Sequence, residues 1–492
     1  MFERITPEQA GLSSKTILMF LKKLEKRGSR THGFLMMKDG KIFTEAYWKP
    51  FNQDFNHRMY SQTKSFVGVA IGLLIEEGKL SLDDKVVDYF PEKIEIEVHE
   101  YLKNQTVRDM LTMSTVGGCQ WWFNSGDPDR THLYLNHERP MRPSGTMWDY
   151  DSAGSQVLCS LVEKLSGKPM LEYMKEKLFN KMGTFKNATI LKCPNGDSWG
   201  DSAMVCTLRD IASFGQLVMN GGTWEGERLM NEAYLKEASS KLVDNQEDSL
   251  YNPYHLGYGY QIWRVCGNGF AFVGMGDQIT VCYPDKNLII AWTSDNQGTP
   301  VYRQYAFMLL EDTFVDKISN TPLKEDEEAQ KELDEYINNL ELFSVKGASD
   351  SPFRKELSGV EYTCDENPMG ITNFSFNFND ETSGEFRYTN AQGDKVIPFG
   401  VNYNEFGKFP QYGYANDYGA VETTDGFLYD DAVSMAWLEE KKLMLCVQVI
   451  DRYFGNMSAI FAFKGDEVCA KFTKTAEYFM DEYQGVLVGK RK

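Results

Sequence analysis

The run Phe66-Val67-Gly68-Val69-Ala70-Ile71-Gly72-Leu73-Leu74-Ile75 is apolar on every side of a helix, which only a protein core can accommodate. It is half the ~20 residues that a membrane-spanning helix needs. Directly ahead of it stand Met59-Tyr60-Ser61-Gln62-Thr63-Lys64-Ser65. On a helix, Ser61 lies in the first turn and Lys64, three residues on, shares its face. A serine hydroxyl is a weak nucleophile at neutral pH and needs a neighbouring base. An amine in an apolar setting can serve, because burial disfavours the charged form. N–H groups of a first helical turn also favour a negative oxygen placed there. The same tetrad fits an N-cap serine followed by a surface lysine. Against that, it is the only Ser-x-x-Lys in the chain, and it leads straight into a core helix.

A chain of 492 residues exceeds one ordinary core, so two or three domains are expected. Seventy-one Asp and Glu against 52 Lys and Arg leave a net charge of -19, with none of the basic clustering that nucleic acid requires. Met1-Phe2-Glu3-Arg4-Ile5-Thr6-Pro7 has no apolar stretch of the signal-peptide kind. Nine scattered cysteines without C-x-x-C spacing read as reduced and mostly buried, and the expected location is cytoplasmic. Six dispersed histidines offer no zinc pattern, so neither metal nor cofactor is expected.

Periodicity predicts an amphipathic helix over 13–28, then a hairpin over 32–48 turning at Asp39-Gly40. After the core helix, which Gly78 ends, the chain reads as helices and loops to about 200. In that stretch Trp121 and Trp122 sit in a Gly-containing loop, suited equally to a pocket wall and to a core edge. A Thr207-capped helix then runs to Met219, succeeded by an antiparallel meander over 257–292 that includes a strand at 257–263, and a helix over 302–318. Residues 321–332 are charged and open with a proline. The expected division is therefore 1–320, a charged linker with a short helix at 321–345, and a β-rich barrel or sandwich at 346–492.

Three stretches in this order carry a resemblance. They are Tyr60-Ser61-Gln62-Thr63-Lys64-Ser65-Phe66, Pro143-Ser144-Gly145-Thr146-Met147-Trp148-Asp149-Tyr150-Asp151-Ser152, and Val273-Gly274-Met275-Gly276-Asp277-Gln278 on a late strand. Over about residues 5–318 the chain resembles the serine β-lactamase and penicillin-binding-protein superfamily, in the class C-like branch of esterases, D-aminopeptidases and amidases. The resemblance implies an α+β fold, an antiparallel sheet flanked by helices with a helical subdomain. It implies Ser61 as the acyl-accepting nucleophile, Lys64 as its proton partner, and Tyr150 as the phenol that shuttles protons. An oxyanion hole would combine the Ser61 N–H with a strand N–H near Met275, between Gly274 and Gly276.

Two departures bear on substrate. Ser152 stands where the class C pattern has asparagine, and Met275 stands near the usual basic or hydroxyl contact to a substrate carboxylate. An ester or amide with a neutral or hydrophobic acyl group fits better than a β-lactam, with Trp121, Trp122, Tyr258 and Tyr260 as pocket lining. The alternatives are a β-lactamase, a D-amino-acid peptidase, or a non-catalytic acyl-ligand sensor. The expected partner is a small ester or amide, with no nucleic acid and no membrane.

Overall fold

A computed structural model of the protein describes residues 2–119, 125–246, 251–298, 302–413, 427–477 and 479–492. The chain forms two compact units that divide between Glu341 and Leu342.

The first unit is built on a six-stranded antiparallel sheet. Its strands are β1 (Thr31–Lys38), β2 (Lys41–Tyr47), β3 (Trp263–Val265), β4 (Gly269–Gly274), β5 (Gln278–Tyr283) and β6 (Leu288–Ser294), in the spatial order β2-β1-β6-β5-β4-β3. The hairpin β1–β2 turns through Asp39 and Gly40, both at positive φ, as its Asp-Gly sequence predicts. Because β1 pairs with β6, the two ends of the unit close one sheet and the helices between them are held at its side.

Every residue of β1 and of β6 is buried, so both faces of the sheet are covered. On one face lie α1 (Ser14–Lys26) and α7 (Tyr302–Leu310). Phe20 of α1 packs edge-on to Trp292 at 5.9 Å and against Phe314 at 4.8 Å. The other face takes α6 (Leu208–Met219), where a Cβ on Gly215 would meet the Cys282 Sγ at 3.1 Å. The charged stretch after residue 321 carries α8 (Glu327–Asn338), tied to α1 through Lys15–Asp326 and Lys22–Glu332.

Helix α2 (Thr63–Glu76), which the short helices α3 (Val107–Leu111) and α4 (Arg130–Asn136) follow in the chain, is buried from Thr63 to Leu74, as its all-round apolar sequence requires. Each of Phe66, Val67, Ile71 and Leu74 contributes about 1.5–3 kcal/mol by leaving water. Phe66 stacks on Phe214 of α6 at 4.0 Å. Gly68 and Gly72 admit the neighbours that a side chain would exclude: a Cβ would lie 2.6 Å from the Tyr260 carbonyl oxygen and 2.3 Å from the Tyr234 ring. The strand expected at 257–263 is absent apart from its last residue, since Gly257 (φ 133°) and Gln261 (φ 60°) break the extended conformation.

The second unit is a closed nine-stranded barrel. Phe374 and Phe376 on one of its strands, Phe386 on the next and Phe461 across the interior are each at most 1% exposed, with ring centroids 5.0–6.1 Å apart. Aromatic side chains therefore fill the barrel as a core. It closes where residues 400–401 pair in parallel with Ser434 and Met435, next to the short strand Glu405–Lys408 on the same edge. No helix among the described residues is long and apolar enough to cross a membrane.

Candidate active site

Ser61 is delivered by a short strand and a sharp turn. His57–Arg58 pairs with Val205 and Cys206, and the Met59 N–H continues the pairing to the Met204 carbonyl at 2.8 Å. Tyr60 then adopts φ 47°, a left-handed conformation that costs an aromatic residue about 1–3 kcal/mol. It is held by its neighbours. Thr63 Oγ1 donates to the Tyr60 carbonyl at 2.6 Å, and the Arg58 guanidinium lies 4.3 Å over the Tyr60 ring.

The sequence places Ser61 in the first turn of α2; it sits in the 3-10 turn Tyr60–Gln62 that leads into that helix. Lys64 follows three residues on, in the first turn of α2, on the face that Ser61 shares. Lys64 Nζ donates to Ser61 Oγ at 2.9 Å and to the Asp201 carbonyl at 2.7 Å, with Asp201 Oδ2 3.9 Å away. Lys64 is 1% exposed and Ser61 half-buried. Burial pushes the Asp201 carboxyl up, and the cations Lys64, Arg130 and Arg58 oppose that shift.

Tyr150 faces the same nitrogen. Lys64 Nζ lies 5.0 Å from the Tyr150 ring centroid, and the ring stacks on Trp263 at 5.6 Å. Asp151 caps α5 (Ser152–Ser166), accepting from the Gly154 N–H at 2.9 Å and from Thr115 Oγ1 at 2.8 Å. Ser152 is thus the first helical residue beside Tyr150, and it is half-buried. Buried Gln261 joins the helices that carry these groups. Its carbonyl accepts from Ser65 Oγ and its Oε1 from Ser155 Oγ, both at 2.7 Å, while Nε2 donates to the Met110 and Leu111 carbonyls.

The third stretch closes the site from the sheet. Gly274 ends β4, while Met275, Gly276 and Asp277 form the turn into β5 rather than part of a strand. A Cβ on Gly274 would stand 2.4 Å from the Met59 carbonyl oxygen and 3.2 Å from the Ser61 nitrogen. Only glycine lets the strand come so close. Gly274→Ala is expected to push the Ser61 turn outward and lower kcat on a p-nitrophenyl ester about 10-fold or more. An unchanged kcat would show that this contact does not set the position of Ser61.

Other expectations fare differently. Tyr258 and Tyr260 do not line a pocket: both are fully buried, Tyr258 against Trp148 and Trp263, Tyr260 between Arg108 and Glu237. Trp121 and Trp122 lie outside the described residues. Arg303 of α7 lies beside the Met275 turn, and its Nη2 donates to the Gly274 carbonyl at 3.0 Å. No motif marks Asp201, Gln261 or Arg303, which reach the site from distant segments.

A family model described as Beta-lactamase matches residues 20–313. A 6-aminohexanoate-dimer hydrolase from Paenarthrobacter ureafaciens is 25% identical over 282 residues, covering 54% of this chain and 72% of its own. Among solved structures, the octameric penicillin-binding protein homologue from Pyrococcus abyssi aligns with a TM-score of 0.50 at 18% identity, covering 96% of this chain and 99% of that one. A candidate 6-aminohexanoate-dimer hydrolase from Bacillus anthracis aligns at 0.53 and 19% identity, over 64% of this chain and 87% of that one.

Proposed function

Since the chain belongs to the beta-lactamase family and is a serine hydrolase, we propose that it cleaves a small ester or amide through an acyl-enzyme on Ser61, with Lys64 and Tyr150 moving the protons. The observation that carries this reading is the 2.9 Å contact between Lys64 Nζ and Ser61 Oγ, made by a lysine with almost no exposed surface.

As a free amine, Lys64 would accept the proton of Ser61 Oγ through that same contact, leaving its N–H groups on the Asp201 carbonyl. Ser61 Oγ then bonds to the substrate carbonyl carbon, and the negative charge passes to the carbonyl oxygen at the turn where Gly274 meets the Ser61 nitrogen. Tyr150 gives its phenolic proton to the departing amine or alcohol and recovers one from the water whose oxygen takes the acyl group, while Lys64 returns its proton to the freed Ser61 Oγ. The curated relative's name gives a 6-aminohexanoate dimer as its substrate, which makes short linear amides the first class to assay here.

The test is intact-mass spectrometry after exposure to a fluorophosphonate and, separately, to a penicillin. A single fluorophosphonate adduct on the wild type that is absent from Ser61→Ala is the expected result, and penicillin labelling reports whether lactams also acylate. No adduct with either reagent on folded protein would overturn the acyl-enzyme reading.

A further inference from the structure

The turn that packs on Ser61 is held by its carbonyl groups. Arg303 Nη2 takes the Gly274 carbonyl at 3.0 Å, and Gln278 Nε2 takes that of Met275 at 2.9 Å. The Gly276 carbonyl receives Ser294 Oγ at 2.6 Å and the Asn296 N–H at 3.1 Å, and the Asp277 carbonyl receives Ser294 Oγ at 3.1 Å. No carbonyl of the four is left to face a negative charge, so what the turn can offer is N–H. A peptide free to rotate would present its oxygen instead and repel an oxyanion.

Three of these carbonyls are held from β5, β6 and the residues directly after β6. The carbonyl of Gly274, the residue that packs on the Ser61 nitrogen, depends on a side chain from α7. That side chain is steered in turn by Asp277, whose Oδ1 lies 3.6 Å from Arg303 Nε. Asp277 is 3% exposed and its Oδ2 is buried without a partner among the described residues.

Resting on the acyl-enzyme reading, we propose that Arg303 and Asp277 form a clasp that fixes the Gly274 peptide against rotation, and so act as positioning residues for the oxyanion formed on Ser61. A buried carboxylate with one unpaired oxygen is a poor stabilising device. Burial pushes the Asp277 carboxyl up to about 6 against the pull of Arg303 and of Asn296. Above that pH the folded chain holds a charge that the unfolded chain holds more easily, so the carboxylate lowers stability at neutral pH.

The test compares Asp277→Asn, Arg303→Met and Arg303→Lys with the wild type on p-nitrophenyl acetate, alongside Ser61→Ala. Asp277→Asn and Arg303→Met are expected to lower kcat about 10- to 100-fold while KM stays within about 3-fold. The affinity for phenylboronic acid, which becomes tetrahedral on an active serine, should weaken by the same factor as kcat. Arg303→Lys should recover part of the loss. Asp277→Asn should keep or raise the melting temperature and lose the wild type's acid limb near pH 6. The clasp is overturned if kcat in both variants is unchanged from pH 5 to 8, or if activity falls only together with melting temperature and boronate affinity does not change. If Ser61→Ala turns over the ester like the wild type, the acyl-enzyme reading itself fails and the clasp falls with it.

Discussion

Replacing Lys64 with methionine is expected to lower kcat/KM by about 10³-fold or more, nearly as much as Ser61→Ala, and the double variant should be no worse than the poorer single one. Among the described residues Ser61 Oγ meets one side-chain amine, Lys64 Nζ at 2.9 Å, and with that amine gone its proton has no equivalent acceptor among them. Two groups that act as one unit are lost together when either is removed. Methionine keeps most of the volume in a site where Lys64 is 1% exposed, so a loss of rate is not a loss of packing. Lys64→Arg should not rescue, because a guanidinium stays protonated and cannot act as a base. Steady-state hydrolysis of a p-nitrophenyl ester by each folded variant decides the matter. Multiplying losses in the double variant would mean that Lys64 works independently of Ser61.

Much of this arrangement is legible in the sequence where chain-local spacing carries it. Ser61 and Lys64 are three residues apart, so any helical turn brings them together, and the 3-10 turn Tyr60–Gln62 leading into α2 does so. Asp39-Gly40 and the all-apolar α2 are read in the same way. The barrel's alternating phenylalanines announce strands, although alternation alone does not separate a barrel from a sandwich. Closure depends on the pairing of residue 400 with Ser434, a contact no local pattern encodes.

The features that stayed hidden come from segments joined only in three dimensions. Asp201 meets Lys64 across 137 residues and does so mainly through its backbone carbonyl, which no side-chain motif can record. Gln261 holds two site helices from a left-handed position where the residue types read as strand. Tyr258 and Tyr260 look like pocket walls by composition, yet the same kinks turn them into the core.

Acid should weaken the protein through a buried pair just ahead of Ser61. The His57 Nδ1–H donates to the Arg58 carbonyl at 2.8 Å, since a carbonyl only accepts, which leaves Nε2 to accept from the His32 Nδ1–H at 2.8 Å. Burial holds both imidazoles neutral, pushing His57 down to about 3 and His32 well below its ordinary value. In the unfolded chain each titrates near 6.5, so below that pH the unfolded state binds more protons. Stability is therefore lost as pH falls, by about 1.4 kcal/mol per pH unit for each histidine. Asp277 and Asp431, raised to about 6 and about 7, act in the opposite sense over much of this range, so the wild-type profile is a difference of the two. Comparison with His57→Asn removes the carboxylates from the account, because they are common to both proteins. The variant is expected to be less stable at pH 7, and to gain about 3 kcal/mol on the wild type between pH 6.5 and 4 in urea unfolding. A gap that does not change with pH would mean that His57 is not held neutral. Because His57–Arg58 leads directly into Tyr60 and Ser61, the strand that loosens in acid is the one that aims the nucleophile.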